Sequence, residues 1–209
     1  MNNVKLLNSV IPSPIMKERA NGENMRNTYF MSYFPLLSII LFSLSLSIKA
    51  EKVLIGFLKR SGIYIGMREF FSDGGIKLAL LILLMLLFFM VFAALKLMAD
   101  TVNELSLLFF SKDSEGESLK QIRSGAVIFL IGSALSLVSM NSFTGIGLIF
   151  LITVAVYFLY FVYKVSSSLS YLGLIGLIFF QVIIWSTFIC GVIFLAVKVY
   201  NSLIASLPI

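Results

Sequence analysis

The sequence predicts an all-α protein, a multi-pass transmembrane helical bundle of about five spans with one or two interfacial amphipathic helices. Of the 209 residues, 59% are hydrophobic and 12% are charged, whereas a soluble domain has roughly 45–50% apolar and about 25% charged residues. The mean hydropathy is +1.02. The apolar residues form long continuous runs, which are typical of helices that cross a bilayer.

Five apolar stretches, separated by polar or glycine-containing breaks, give the predicted spans. They are residues 29–48, 76–98, 126–140, 143–163 and 172–200. At 1.5 Å per residue, about 20 helical residues match a hydrocarbon core of about 30 Å. Only Asn141 and Ser142 separate the third stretch from the fourth, so this pair is either two spans or a re-entrant pair of short helices.

The first 24 residues differ from the rest of the chain because they have mixed charge, two prolines and no periodicity. They are predicted to be a disordered tail or to precede the true initiator, Met25. Residues 25–209 are predicted to form a single transmembrane helical domain. The first span also follows the pattern of a signal peptide, in which a basic residue, here Arg26, precedes an apolar stretch. Ile48 and Lys49 make a poor cleavage site, so a retained span is expected.

The positive-inside rule does not decide the orientation. With five spans, nine Lys and Arg residues lie on the amino-terminal side and seven on the other, or six and seven if the chain begins at Met25. The loop 111–123 is the most hydrophilic, which favours an amino terminus inside the cell.

A basic amphipathic segment follows the first span. In residues 49–60, apolar side chains recur at helical spacing beside Lys52, Lys59 and Arg60. Such a segment lies in the headgroup layer and attracts anionic lipid, or it packs on the bundle as a connecting helix. Membrane lipids are therefore expected partners.

Polar residues inside or beside the spans are few. Asp100, Asn103, Glu104 and Gln181 are the candidates for a polar pathway or an interface. Lys96 can pair with Asp100 at i, i+4. The preferred interpretation places the two acids in solvated positions at the membrane edge, and Gln181 against a neighbouring helix or another copy of the protein.

Small residues predict close helix packing. Gly132, Ser133, Ser136 and Ser139 lie along one side of the third span. The one cysteine, Cys190, has apolar neighbours in the chain and is expected to be buried.

The composition argues against catalysis. The chain has no histidine and one cysteine, which excludes Ser–His catalysis, an internal disulfide and a cysteine-based zinc site. A phosphate-binding loop is also absent from the sequence. We therefore expect no enzymatic activity, no cofactor, no metal site and no nucleic-acid partner. The expected role is that of a partner or accessory subunit in the bilayer, bound to other copies of the chain or to another membrane protein. The alternative is a small oligomeric channel or carrier.

Five runs of residues carry a resemblance to known proteins: Asn27–Phe30, Tyr33–Leu36, Asp100–Phe110, Val156–Lys164 and Tyr200–Leu203. In these runs the chain resembles the YufK family of uncharacterised membrane proteins of Bacillus-type bacteria. The resemblance implies a plasma-membrane location and no established activity. It assigns a function to no residue of this chain.

Overall fold

The computed structural model describes residues 32–111 and 122–206, so the prediction for residues 1–24 lies outside the described part. These residues form six α-helices and two short 3-10 turns, Arg123–Gly125 and Ser166–Ser168. The helices are α1 (Phe34–Arg60), α2 (Ile63–Phe70), α3 (Asp73–Phe110), α4 (Ala126–Val138), α5 (Phe143–Val165) and α6 (Tyr171–Ser206). The all-α prediction is confirmed for the described residues.

Local sequence signals set the helix boundaries. Pro35 lies in the first turn of α1, where its missing N–H costs no helical hydrogen bond. Gly62 begins α2 with a φ of 73°, a left-handed conformation that glycine adopts without strain. Ser72 and Ser142 cap α3 and α5, since each hydroxyl accepts a hydrogen bond from the backbone N–H three residues later.

Helices α1 and α3 form an antiparallel pair joined by the short helix α2. The rings of Phe42 and Phe92 are 5.7 Å apart, and Ile55, Tyr64 and Ile76 form a small buried cluster near the connection. Position 42 therefore faces position 92 while position 55 faces position 76, which means that the two helices run in opposite directions.

The other helices continue this alternation. Helix α4 runs parallel to α1, because Ser45 contacts Ser136 and Lys52 contacts Asn141. Helix α5 returns beside α4, and α6 runs antiparallel to the end of α3. The alternating helices give the bundle two ends. At the Ser111 end, Ser111 bridges to Leu169, and the Asn141 end also contains α2.

Buried serines line the contacts of α1 with its neighbours. The hydroxyls of Ser38, Ser43, Ser45 and Ser47 each donate to a carbonyl of their own helix, so none needs water. The Ser45 and Ser136 hydroxyl oxygens are 2.7 Å apart. Small, internally satisfied side chains allow helices to approach closely without a strong hydrophobic driving force.

Three described helices are long and apolar enough to cross a membrane: Asp73–Phe110, Phe143–Ser168 and Tyr171–Ser202. They correspond to the second, fourth and fifth predicted spans. The first and third fall on α1, of 27 residues, and α4, of 13 residues. Because 13 residues extend only about 20 Å, α4 is shorter than the hydrocarbon core, and the count of five spans stays a prediction. Helix α5 has 23 residues. Of the third and fourth predicted stretches, for which a re-entrant pair of short helices was the alternative, only the third forms a short helix.

The basic segment 49–60 is not a separate interfacial helix. It is the second half of α1, which continues unbroken to Arg60. Leu58 packs beside the Ile55 cluster, whereas Val53 and Phe57 are exposed. One side of the segment packs on the bundle, as expected of a connecting helix, and the other faces outward, while its contact with anionic lipid stays a prediction.

Candidate functional site

The polar residues predicted on α3 lie at the Ser111 end of the molecule. Lys96, Asp100, Asn103 and Glu104 are spaced along one continuous helix, and positions at i, i+4, i+7 and i+8 share a face. This part of α3 lies beyond its most apolar stretch and packs against the first half of α6.

A buried hydrogen-bonded group joins α3 to α6, and we call it the Gln181 cluster: Asn103, Ser106, Gln181 and Trp185. Gln181 is only 2% exposed. Its Nε2 donates to Asn103 Oδ1 at 2.9 Å and to Ser106 Oγ at 3.3 Å, and its Oε1 accepts from Trp185 Nε1 at 3.2 Å. An amide buried among apolar helices must find such partners.

Asp100 and Glu104 do not join this cluster. Asp100 forms an ion pair with Lys96, which confirms the pairing expected from their i, i+4 spacing. Glu104 is exposed and makes no hydrogen bond or ion pair with the described residues. Of the four candidates, the structure therefore brings only Asn103 and Gln181 together.

Sequence reasoning missed Ser106 and Trp185 as members of the cluster. Their spacing was the available signal, because Ser106 lies one turn after Asn103 and Trp185 lies one turn after Gln181. The spacing could not show that these two turns face each other across two helices.

An apolar core supports the cluster. Side chains of α3, α5, α6 and the segment before α4 meet there: Leu107, Ile122, Phe161, Val165 and Leu177. Gly173 and Gly176 allow α3 to come close, since an added Cβ would lie 2.9 Å from the Phe110 carbonyl oxygen and 2.5 Å from its ring, respectively. The first half of α6 is thus fixed to α3 by packing and by hydrogen bonds.

The buried polar atoms of the cluster all have hydrogen-bond partners. Throughout the described residues, every buried side-chain nitrogen or oxygen has a hydrogen-bond partner, and no group of three or more His, Cys, Asp or Glu could hold a metal ion. The amides, hydroxyl and indole of the cluster bind one another, which is the chemistry of a structural joint between two helices.

The second half of α6 is exposed on all sides. From Ile189 to Ser202 every residue is exposed, and the sequence there is apolar except near its end. Cys190 is exposed too, so the expectation of a buried cysteine was wrong. A side chain with apolar neighbours in the chain is covered only where a second helix packs against it. The described contacts of α6 with α3 lie near the beginning of α6.

Long apolar helices, satisfied serines and a polar joint between two helices define a helical membrane protein. The chain belongs to the family of unknown function DUF5366, whose model matches residues 51–208. It is similar to the uncharacterized membrane protein YufK of Bacillus subtilis (strain 168). The two are 46% identical over 185 residues, which cover 88% of this chain and 100% of the relative, and the resemblance seen in the sequence is thereby confirmed. No solved structure matches the chain.

Proposed function

We propose that the protein is a multi-pass cell-membrane protein that acts as a non-enzymatic partner or accessory subunit in the bilayer. One observation carries the proposal: the first half of α6 is fixed to α3, and the second half of α6 is uncovered. The stretch from Ile189 to Ser202 extends about 21 Å, which is enough to present a long apolar surface to another membrane helix.

The anchoring of α6 gives this surface a defined place. The Gln181 cluster and the contact of Phe110 with Gly176 hold the first half of the helix. A helix held in this way presents its second half in one orientation, which lowers the conformational cost of binding a partner.

The five-span arrangement is part of the same proposal. The alternating directions of α1, α3, α4, α5 and α6 support five crossings with the two termini on opposite sides. Helix α4 would cross with the help of its neighbours, since Gly132 lies against α5 and Ser136 against α1.

A non-enzymatic role is supported by the state of the polar groups. In the described residues every buried amide and hydroxyl has a hydrogen-bond partner, and Asp100 is paired with Lys96. An acid–base or nucleophilic mechanism requires a reactive group that a neighbouring group activates, and the exposed Glu104 makes no hydrogen bond or ion pair with the described residues.

Co-purification from the native membrane tests the proposal. We expect the tagged full chain to carry a stoichiometric membrane protein through purification in a mild detergent. The double substitution Phe194→Ala and Leu195→Ala on α6 should reduce its recovery. The matched control is Leu83→Ala with Leu86→Ala, because these α3 side chains are similarly exposed. Purification as a lone monomer, or equal losses in both variants, would contradict the proposal.

The channel or carrier alternative relies on Asp100, Asn103, Glu104 and Gln181, and it stays a prediction. If these residues line a path, replacing Asp100 and Glu104 by alanine should change solute flux through vesicles that contain the protein. The accessory-subunit proposal expects the same flux from the variant, the unaltered protein and empty vesicles.

A further inference from the structure

The connection between α1 and α3 exposes large apolar side chains. Phe70 and Phe71, at the end of α2, are 82% and 63% exposed, and Ile63 and Ile65 are also more than half exposed. Four such exposed side chains therefore lie within nine residues of this connection. An exposed apolar patch of this kind marks a surface that meets a membrane or a partner.

The position of α2 places this patch at the edge of the hydrocarbon core. Tyr64 packs against Ile76, and the uninterrupted apolar run of α3 begins at Leu78, half a turn later. Helix α2 therefore lies at the level where α3 enters the bilayer, which is the depth of the lipid headgroups.

Polar contacts fix the orientation of α2. The Tyr64 hydroxyl donates to Asp73 Oδ1 at 3.0 Å, and Arg68 Nε lies 3.0 Å from the same oxygen. The Lys59 ammonium lies 5.1 Å from the centre of the Tyr64 ring. These contacts turn Tyr64 and Met67 toward α1 and α3, so that the exposed apolar side chains point away from the bundle.

Basic residues surround the patch. Between positions 49 and 77 the chain has six Lys or Arg and three Asp or Glu, and one of the acids, Asp73, is paired with Arg68. Lys59 and Arg60 are both exposed, and neither pairs with an acidic side chain of the described residues. Positive charge beside exposed aromatic rings is complementary to an anionic bilayer surface.

We propose that α2, with the adjoining ends of α1 and α3, is an interfacial anchor that binds anionic phospholipid. Phe70 and Phe71 enter the upper part of the acyl-chain layer, while Lys59 and Arg60 bind the headgroup phosphates. The anchor holds the α1–α3 pair at a fixed depth in the membrane. This site is distinct from the α6 surface and does not depend on a protein partner.

Lipid retention tests the charged part of the anchor. The full chain is purified in mild detergent with phosphatidylglycerol or phosphatidylcholine, and bound lipids are counted by native mass spectrometry. We expect preferential retention of phosphatidylglycerol. Lys59→Gln with Arg60→Gln should lower its affinity about 30-fold, at about 1 kcal/mol for each basic residue near the surface. The control, Arg123→Gln with Lys164→Gln, removes two charges from the Ser111 end and should leave retention unchanged.

Depth measurement tests the apolar part, and it does not rely on variants that lose packing. A fluorophore is attached to Phe70→Cys in a Cys190→Ser background, and the protein is placed in vesicles whose lipids carry a nitroxide on the part of the acyl chain nearest the headgroup. Quenching should be severalfold stronger there than at Glu104→Cys, an exposed position beyond the Ser111 end of the apolar stretch. Equal quenching at the two positions, equal retention of the two lipids, or equal losses in both double variants would overturn the proposal.

Discussion

At the residue scale, Gln181 shows how one polar side chain fixes the relation of two helices. Its amide is the only group of the described residues that joins side chains of α3 and α6 by hydrogen bonds. Because Gln181 is 2% exposed, its amide depends on these bonds, so the side chain stabilises this arrangement and disfavours others.

Replacing Gln181 by leucine is expected to lower the free energy of unfolding by about 1 to 2 kcal/mol, because Asn103 and Trp185 would lose their partner. Thermal unfolding in detergent measures the effect. Thr187→Val, on an exposed position of the same helix, serves as the control. Adding Asn103→Leu to Gln181→Leu should cost about 1 kcal/mol less than the sum of the two single changes, and strict additivity would contradict the cluster.

Tyr64 makes the attachment of α2 sensitive to alkaline pH. Burial raises the pKa of its phenol above the usual 10.0, and the hydrogen bond to Asp73 and the charge of that carboxylate raise it further. Because the pKa is higher in the folded state, the stabilisation is fully present below about pH 10 and is lost as the pH rises through the raised pKa.

Tyr64→Phe should therefore be less stable than the unaltered protein at neutral pH, and the difference should shrink as the pH rises above the raised pKa. The measurement is the unfolding midpoint from pH 7 upward. Tyr171→Phe, at an exposed tyrosine, should follow the unaltered protein throughout. A constant difference between Tyr64→Phe and the unaltered protein at every pH would show that the phenol proton has no part in the attachment.

At the element scale, the contact of α4 with α5 depends on the absence of a side chain at one position. A Cβ at Gly132 would lie 2.7 Å from Thr153 Cγ2 and closer still to its hydroxyl oxygen. Three of the four small residues predicted on the third span are thereby confirmed as a packing surface, since Gly132, Ser133 and Ser136 are buried, whereas Ser139 follows the end of α4 and is half-buried.

Gly132→Ala is expected to cost about 1 to 3 kcal/mol of unfolding free energy through overpacking. Gly147→Ala is a matched control on α5, because nothing lies within 4 Å of its added Cβ, and the better helix propensity of alanine should make it neutral or slightly stabilising. Thr153→Ala should partly rescue Gly132→Ala. Equal effects of the two glycine substitutions would contradict the close approach.

At the scale of the whole molecule, the two ends of the bundle should face opposite sides of the membrane. Single cysteines at Ser61 and Arg123, in a Cys190→Ser background, mark the Asn141 end and the Ser111 end. With the amino terminus inside, Ser61→Cys should react with an impermeant thiol reagent in intact cells, and Arg123→Cys only after permeabilisation.

Reversed labelling would overturn the expected orientation but keep the arrangement of the helices. Reaction of both positions from the same side would contradict α3 as a span. Because Lys and Arg are nearly balanced between the two sides, their count does not set the orientation in the membrane, and cysteine labelling measures it directly.

Composition and periodicity were enough to predict the class of protein, the helical content and the residues able to hydrogen-bond inside an apolar bundle. These follow from composition and from the 3.6-residue period, which are local properties. Lys96 with Asp100 was predictable for the same reason, since both partners lie on one helix.

The packing of the helices in three dimensions sets which of their turns meet. It joined Gln181 to Asn103 across 78 positions of the chain, left Glu104 outside, exposed Cys190 and merged residues 49–60 into α1. It also made α4 shorter than the stretch that predicted it. Every helix face in an apolar chain is nearly equally apolar, so hydropathy cannot tell a face covered by another helix from one that meets lipid, and packing between helices makes that distinction.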